Sequence, residues 1–238
     1  MTFSFVPSAL SATVVALACL ATTAQAQAPA GGSVALPAAA NNAASVTAPQ
    51  VVAHYAHLVH SNYSDTLAAA KAMQTAISAF TSQPSAATLA EARKTWLAAR
   101  EFYGQTEAFR FYGGPIDNDN GPEGRINAWP MDESFVDSVQ GKASAGLVNN
   151  RKFVISKKNL SAQNERGGEE NIATGWHAIE FFLWGQDVSD TGPGERSFED
   201  FVDGKAPNAD RRRQYLNVVT ELLIDDLTTL VKAWAPDV

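Results

Sequence analysis

The chain has 238 residues, with 18 basic and 25 acidic side chains, which gives a formal net charge of −7 at neutral pH. This acidic balance, without a basic stripe, excludes the electrostatic footprint of a nucleic-acid-binding protein. The only cysteine is Cys19, so a framework of internal disulfides is excluded as well.

The first 26 residues have the features of a secretory signal peptide. They contain no charged side chain, include a mostly apolar stretch from Ala9 to Ala21, and end in the small-x-small pattern Ala24-Gln25-Ala26. The apolar stretch is shorter than the roughly 20 residues of a membrane-spanning helix. We therefore predict residues 1–26 as a signal peptide and a periplasmic or cell-envelope location, with membrane attachment only if Cys19 is lipidated.

Residues 27–48 are rich in Ala, Gly, Pro, Ser and Asn and carry no charge, which predicts a flexible low-complexity linker. Residues 49–238 form the predicted folded domain. This domain contains no cysteine, so a metal site in it must use histidine, carboxylate or backbone oxygen ligands.

Three long amphipathic helices and one apolar helix are predicted in the folded domain. Apolar side chains recur at three- and four-residue steps over residues 48–81, 86–111 and 208–234, which is the period of an α-helix. The fourth segment, residues 172–184, is apolar on every side, as is typical of a buried helix. Strand signals are nearly absent, so we expect an all-α, up-and-down helical bundle.

The segment between the second and third main helices, residues 112–172, breaks the helical period. Its start is dense in Gly, Pro, Asn and Asp, residues 131–139 are compatible with a short helix, and Phe153-Val154-Ile155 is a β-branched patch. Loops of this length are usually functional or contain small structure of their own. We therefore predict a long functional loop here.

The stretch GWHAIEFFLWGQD at residues 175–187 is the first candidate for chemistry. His177 and Glu180 fall on one face of the predicted helix, with Cβ atoms roughly 5–6 Å apart. A buried carboxylate is costly unless it is paired or binds a cation, and a metal ion accepts both imidazole nitrogen and carboxylate oxygen. Hydrogen bonding of the pair to each other or to loop backbone is the alternative that these two residues leave open.

Two further carboxylates could complete a metal site. Glu107 shares a helical face with Trp96 and Tyr103, which predicts that it points into the bundle, unless a nearby arginine neutralises it. Asp117 lies in the turn GGPID just beyond that helix. Together with the pair above, they supply one nitrogen and three oxygen ligands, a set that suits iron and could also bind zinc, copper or calcium. The predicted metal ligands are Glu107, Asp117, His177 and Glu180.

These stretches resemble the imelysin family, with its iron-regulated protein A-like and EfeO-related branches. The signature G-x-H-x-x-E occurs as Gly175, His177 and Glu180. Three other stretches also resemble family segments, and the resemblance covers about residues 49–235: TWLAAREFYGQTEAFRFYGGPID, GPEGRINAWPMDE and RRRQYLNVVTELLIDDL.

The resemblance implies an all-helical envelope protein with its functional site at the G-x-H-x-x-E motif, and iron-linked regulation in several members. The four predicted ligands look like the positions at which the EfeO-related branch places metal ligands. Members of the family usually have a second helical bundle, so we expect residues 49–238 to correspond to the N-terminal half of a longer family fold.

The favoured interpretation is a periplasmic metal-binding protein in iron uptake or metal homeostasis, with iron as the ion and an envelope iron-transport component as a partner. Two alternatives stay open. One is an envelope metallopeptidase, in which Glu180 or Glu123 activates water. The other is a module whose loop binds haem or a protein partner, with a contact set made of Arg125, Asn127, Trp129 and Trp176.

Overall fold

A computed structural model describes residues 45–236. The predicted signal peptide and most of the predicted linker lie outside these residues. Within the described range the ordered elements are helices, and the only β-type pairing there is an isolated bridge between Val139 and Lys142. The all-α prediction is confirmed. None of the helices in residues 45–236 is both long enough and apolar enough to cross a membrane.

The described chain contains eight α-helices, and the four longest form the bundle, with α1 packing on α2 and α8, and α7 packing on α2 and α8. The helices are α1 (Ala48–Ser82), α2 (Ala86–Thr106), α3 (Glu123–Ile126), α4 (Glu133–Val136), α5 (Gly146–Asn149), α6 (Lys157–Gln163), α7 (Gly175–Trp184) and α8 (Ala209–Ala233). Two 3-10 turns cover Glu107–Phe109 and Phe198–Phe201.

The first two helices form a hairpin because their amphipathic faces meet and the connection between them is short. Val59, Met73 and Phe80 on α1 are fully buried and lie on one face of the helix. The backbone N–H of Thr88 donates to Ser85 Oγ at 3.2 Å, and the N–H of Ser85 donates to Thr88 Oγ1 at 3.1 Å. This reciprocal cap starts α2 immediately after the turn, and the short connection makes the two helices antiparallel neighbours.

The second helix ends earlier than the sequence predicts. The α-helix stops at Thr106, and a 3-10 turn follows. Phe109 takes the inward position and is only 8% exposed, whereas Glu107 is exposed and Phe111 is 84% exposed. The prediction that Glu107 points into the bundle is therefore wrong, because the change of helical pitch after Thr106 rotates Glu107 out of the buried face.

Glycines hold both ends of α7. Gly175 has φ +81°, and a Cβ atom there would lie 2.3 Å from the carbonyl oxygen of Ile126, so a larger residue is excluded by conformation and by space. At the other end Gly185 has φ +74°, and its N–H donates to the carbonyl of Phe181 at 2.8 Å. Because α7 is fixed at both ends, the direction in which its polar side chains point is fixed as well.

The predicted long loop, residues 112–172, contains the four short helices α3 to α6. The short helix predicted within residues 131–139 is confirmed as α4, whereas the patch at 153–155 forms no strand. The loop is tied to α8 by Arg125, whose Nη2 and Nε lie 2.7 and 3.2 Å from the two carboxylate oxygens of Asp226. Such a bidentate pair has defined geometry, so the loop is held against the bundle.

Candidate functional site

His177 and Glu180 form a pair on the exposed side of α7. His177 Nδ1 lies 3.1 Å from Glu180 Oε2, with the side chains 16% and 42% exposed. The prediction that they share one helix face is confirmed, and the mutual hydrogen bond that the sequence left open is present. A carboxylate at Nδ1 fixes the imidazole ring and leaves Nε2 as a ligand atom, which is the common arrangement around metal-binding histidines.

The pair opens into a pocket of about 380 Å³, which we call the His177 pocket. Its walls are mainly aromatic and aliphatic, and two acidic residues that the sequence reasoning missed, Glu133 and Asp187, also line it. The apolar wall residues are Trp96, Leu97, Trp129, Met131, Phe181, Trp184 and Pro193. A concave apolar pocket with a few polar groups is the usual form of a small-ligand site.

The carboxylates of the His177 pocket have no direct salt bridge to a lysine or arginine in the described part of the chain. Burial raises the pKa of Glu133, and the charge of Asp187 adds to this rise against a lowering effect of Arg196. Among residues 45–236, no lysine or arginine forms a salt bridge with Glu133, Glu180 or Asp187. Carboxylates in such a setting favour a bound cation.

Trp129 covers one side of the His177 imidazole. The two ring centroids are 4.8 Å apart with the planes inclined by 50°, and the Trp129 side chain is 69% exposed. The indole therefore lies at the mouth of the pocket, between His177 and solvent.

Glu107 and Asp117 do not line the His177 pocket. Glu107 accepts a long hydrogen bond from Asn127 Nδ2 at 3.5 Å, and Asp117 Oδ2 accepts the backbone N–H of Phe111. No group of three or more His, Cys, Asp or Glu residues within 45–236 is close enough to hold a metal ion. The structure thus brings His177 and Glu180 together but does not join the other two to them, and the four-ligand assignment stays a prediction.

Several residues predicted for the metallopeptidase and for the haem- or partner-binding loop form contacts within the fold. Glu123, the candidate water-activating carboxylate, accepts from Arg110 Nη2 at 2.7 Å, and the guanidinium of Arg125 is held by Asp226. Trp176 is fully buried, and its ring packs against Trp96 and Tyr103 at centroid distances of 6.3 and 5.4 Å. The predicted contact set is therefore wrong for Trp176, because this side chain is part of the bundle core.

The G-x-H-x-x-E helix lies within the part of the chain that matches a known protein family. The model of the family described as imelysin matches residues 59–238. Iron-regulated protein A from Synechococcus elongatus is 37% identical over 71 residues, which are 30% of this chain and 19% of that protein. The matched stretch therefore spans less than a quarter of that relative.

Proposed function

Because the chain belongs to the imelysin family, we propose that it is a periplasmic metal-binding protein that serves iron uptake or metal homeostasis. The observation that carries this proposal is the His177–Glu180 pair, at 3.1 Å, in a pocket that also contains Glu133 and Asp187. The proposal is limited to groups that line the pocket, so Glu107 and Asp117 are outside it.

The chemistry of this donor set suits a divalent transition metal. An imidazole nitrogen with carboxylate oxygens binds iron, zinc and copper, with softness between that of an all-oxygen site and a thiolate site. A cation in the pocket also offsets the repulsion between Glu133 and Asp187, which helps to raise the pKa of Glu133 after burial itself. The acidic groups are spread around the wall, so we expect them to move towards the ion when it binds.

Features outside the pocket support the proposed cellular location and the proposed metal. The uncharged leader that ends in Ala24-Gln25-Ala26 supports export to the periplasm. The name of the relative, iron-regulated protein A, supports iron as the relevant metal. An envelope iron-transport component is the proposed partner, and membrane attachment is proposed only for a form lipidated at Cys19.

The test is calorimetric titration of the purified mature protein with ferrous, zinc and cupric ions. We expect the His177→Ala/Glu180→Ala double variant to lose affinity by roughly 100-fold or more, since even outer-shell changes cost 10- to 100-fold. The matched control is His57→Ala/Glu101→Ala, which removes the same two residue types from exposed positions of α1 and α2 and should bind as the wild type does. Equal affinity of the wild type and the pocket variant would contradict the assignment.

A further inference from the structure

After α7 the chain forms part of the wall of the His177 pocket. Residues 185–196, which we call the wall segment, contribute four residues to the lining of the pocket: Gly185, Asp187, Pro193 and Gly194. In the middle of the wall segment, the N–H of Ser189 donates to Asp187 Oδ1 at 3.0 Å, and the N–H of Thr191 donates to Ser189 Oγ at 3.2 Å. These bonds are local, so the place of the wall segment depends on how its two ends are held.

Both ends of the wall segment are bound to other parts of the fold. At the first end, Gln186 Oε1 accepts the backbone N–H of Gln140 at 2.9 Å. At the second end, the N–H of Arg196 donates to the carbonyl of Trp184 at 2.7 Å. Gly194 packs so closely there that a Cβ atom on it would lie 2.6 Å from the same carbonyl oxygen. The wall segment therefore returns to the end of α7, from which it started.

Arg93 on α2 binds the second end of the wall segment and the end of α7 at the same time. Its Nε donates to the carbonyl of Leu183 at 2.9 Å, and its Nη2 donates to the carbonyl of Arg196 at 2.9 Å. Its Cζ lies 5.6 Å from the ring centroid of Trp184, which also lines the pocket. Because the planar guanidinium presents its donors in a rigid arrangement, one side chain connects α2, α7 and the wall segment.

These contacts give Arg93 a different role from that of Arg196. Arg196 Nη1 pairs with Asp137 Oδ2 at 3.0 Å, whereas Arg93 forms no salt bridge within residues 45–236. The last carbonyl groups of a helix have no partner inside the helix, and Arg93 supplies a partner to the carbonyl of Leu183. The role of Arg93 in the described chain is therefore to fix backbone positions.

We propose that Arg93 is a positioning residue of the His177 pocket, which holds the wall segment against α7 and thereby keeps Asp187 at the pocket. Arg93 is not among the residues that line the pocket, so it acts through the wall segment. The inference rests on the proposed function in one respect, that the pocket binds a cation. The sign of the effect separates position from charge. Removal of a positive charge near a cation site raises the affinity for the cation, whereas release of the wall segment lowers it.

The first test needs no metal and uses hydrogen–deuterium exchange of the mature protein. Local opening controls the exchange of a protected amide, so Arg93→Ala should speed the exchange of the Arg196 amide and its neighbours by about tenfold or more. Amides of α8 should keep the wild-type rate. The matched control is Lys94→Ala, which removes a charge of the same sign from a side chain that is 77% exposed, and it should exchange as the wild type does. An unchanged rate for residues 185–196 in Arg93→Ala would overturn the proposal.

The second test is a double-mutant cycle on zinc affinity, measured by calorimetric titration. Arg93→Ala should bind zinc about tenfold more weakly than the wild type, a loss typical of groups that orient ligands. Because the effect passes through Asp187, Arg93→Ala should weaken binding by less than about twofold when Asp187→Asn is already present. Arg93→Lys keeps the charge without the planar guanidinium. It should give an intermediate affinity, and it replaces Arg93→Ala in both tests if that variant does not fold.

Two results of the zinc titration also contradict the positioning role: an affinity of Arg93→Ala equal to or above that of the wild type, or a further loss of about tenfold on top of Asp187→Asn. The proposed function fails by a different result, equal zinc affinity of the wild type and the His177→Ala/Glu180→Ala variant. In that case the exchange of the metal-free protein still decides whether Arg93 holds the wall segment, so the two failures are distinguishable.

Discussion

The carboxylates of the Asp137 region and of the His177 pocket differ in burial and in their partners. Asp137 is 0% exposed and has two arginine partners, Arg212 Nε at 2.7 Å and Arg196 Nη1 at 3.0 Å. We call these three residues the Asp137 cluster. In the His177 pocket, by contrast, Glu133 is half-buried and Asp187 is exposed, and neither has a salt-bridge partner among residues 45–236.

The Asp137 cluster connects separate segments of the fold. It joins the end of α4 to α8 through Arg212 and to the segment after α7 through Arg196. Burial acts to raise the pKa of Asp137, but the hydrogen bonds from Arg212 and the charge of Arg196 outweigh it and hold the pKa below its usual value. The buried carboxylate of Asp137 thus has arginine partners inside the fold, whereas the carboxylates of the His177 pocket have no direct arginine partner among residues 45–236.

The largest expected effect comes from breaking the Asp137 cluster. Asp137→Ala leaves Arg196 and Arg212, each with a side chain 5% exposed, without their counter-charge. Removal of one partner from a buried ion pair costs about 3–5 kcal/mol, and urea denaturation should show a loss of this size in the free energy of unfolding.

The matched control for this change is Asp203→Ala. Asp203 also pairs with an arginine, Arg213, at 2.9 Å, but its side chain is 72% exposed. An exposed pair is worth about 0–1 kcal/mol. Equal losses for Asp137→Ala and Asp203→Ala would show that burial does not distinguish the two pairs.

The pH dependence of unfolding sharpens the same comparison. Because the pKa of Asp137 is lowered in the folded state, its stabilisation is fully present above the unfolded-state pKa of about 3.9 and is lost as the pH falls through the lower folded value. The stability advantage of the wild type over Asp137→Asn should therefore shrink on acidification. A difference that stays constant between neutral and strongly acidic pH contradicts this account.

Glu133 in the His177 pocket should change the free energy of unfolding with pH in the opposite direction to Asp137, and by a smaller amount. The pKa of Glu133 is raised in the folded state, first by burial, so its favourable contribution is present below the unfolded-state pKa of about 4.3 and is lost as the pH rises through the folded value. Without added metal, Glu133→Gln should stabilise the protein at neutral pH by less than about 1 kcal/mol, and the gain should vanish in acid.

Thermal and urea unfolding of Glu133→Gln at two pH values measures this effect. Glu169→Gln, at an exposed position of the same loop, is the control and should leave stability unchanged at both. A lower stability of Glu133→Gln than of the wild type at neutral pH would mean that Glu133 is already compensated in the metal-free protein.

Much of the fold is readable from the sequence, because helix periodicity is a local signal. The periodicity predicts the first and last long helices at 48–81 and 208–234, and they occur at Ala48–Ser82 and Ala209–Ala233. The predicted end of α2 is wrong, because the aromatic spacing continues through Phe111 although the backbone changes to a 3-10 turn at Glu107. The spacing of apolar side chains in the sequence does not reveal where the backbone changes from an α-helix to a 3-10 turn.

The candidate site can be predicted from the sequence only in part, because helix spacing relates only residues that are close in the chain. His177 and Glu180 are three residues apart on one helix, so their pairing follows from helix geometry. Glu133 precedes them by more than 40 residues in the loop, and Asp187 follows after α7 has ended. Their place in the pocket depends on how the loop packs on the bundle, and no spacing rule links them to His177.

The central claim is that the His177 pocket binds a metal ion through the imidazole of His177. Zinc K-edge X-ray absorption of the zinc-loaded mature protein tests this most directly. We predict nitrogen and oxygen neighbours at about 2.0–2.2 Å, with outer-shell scattering from one imidazole that is absent in His177→Ala. The same imidazole scattering in the wild type and in His177→Ala would contradict the claim.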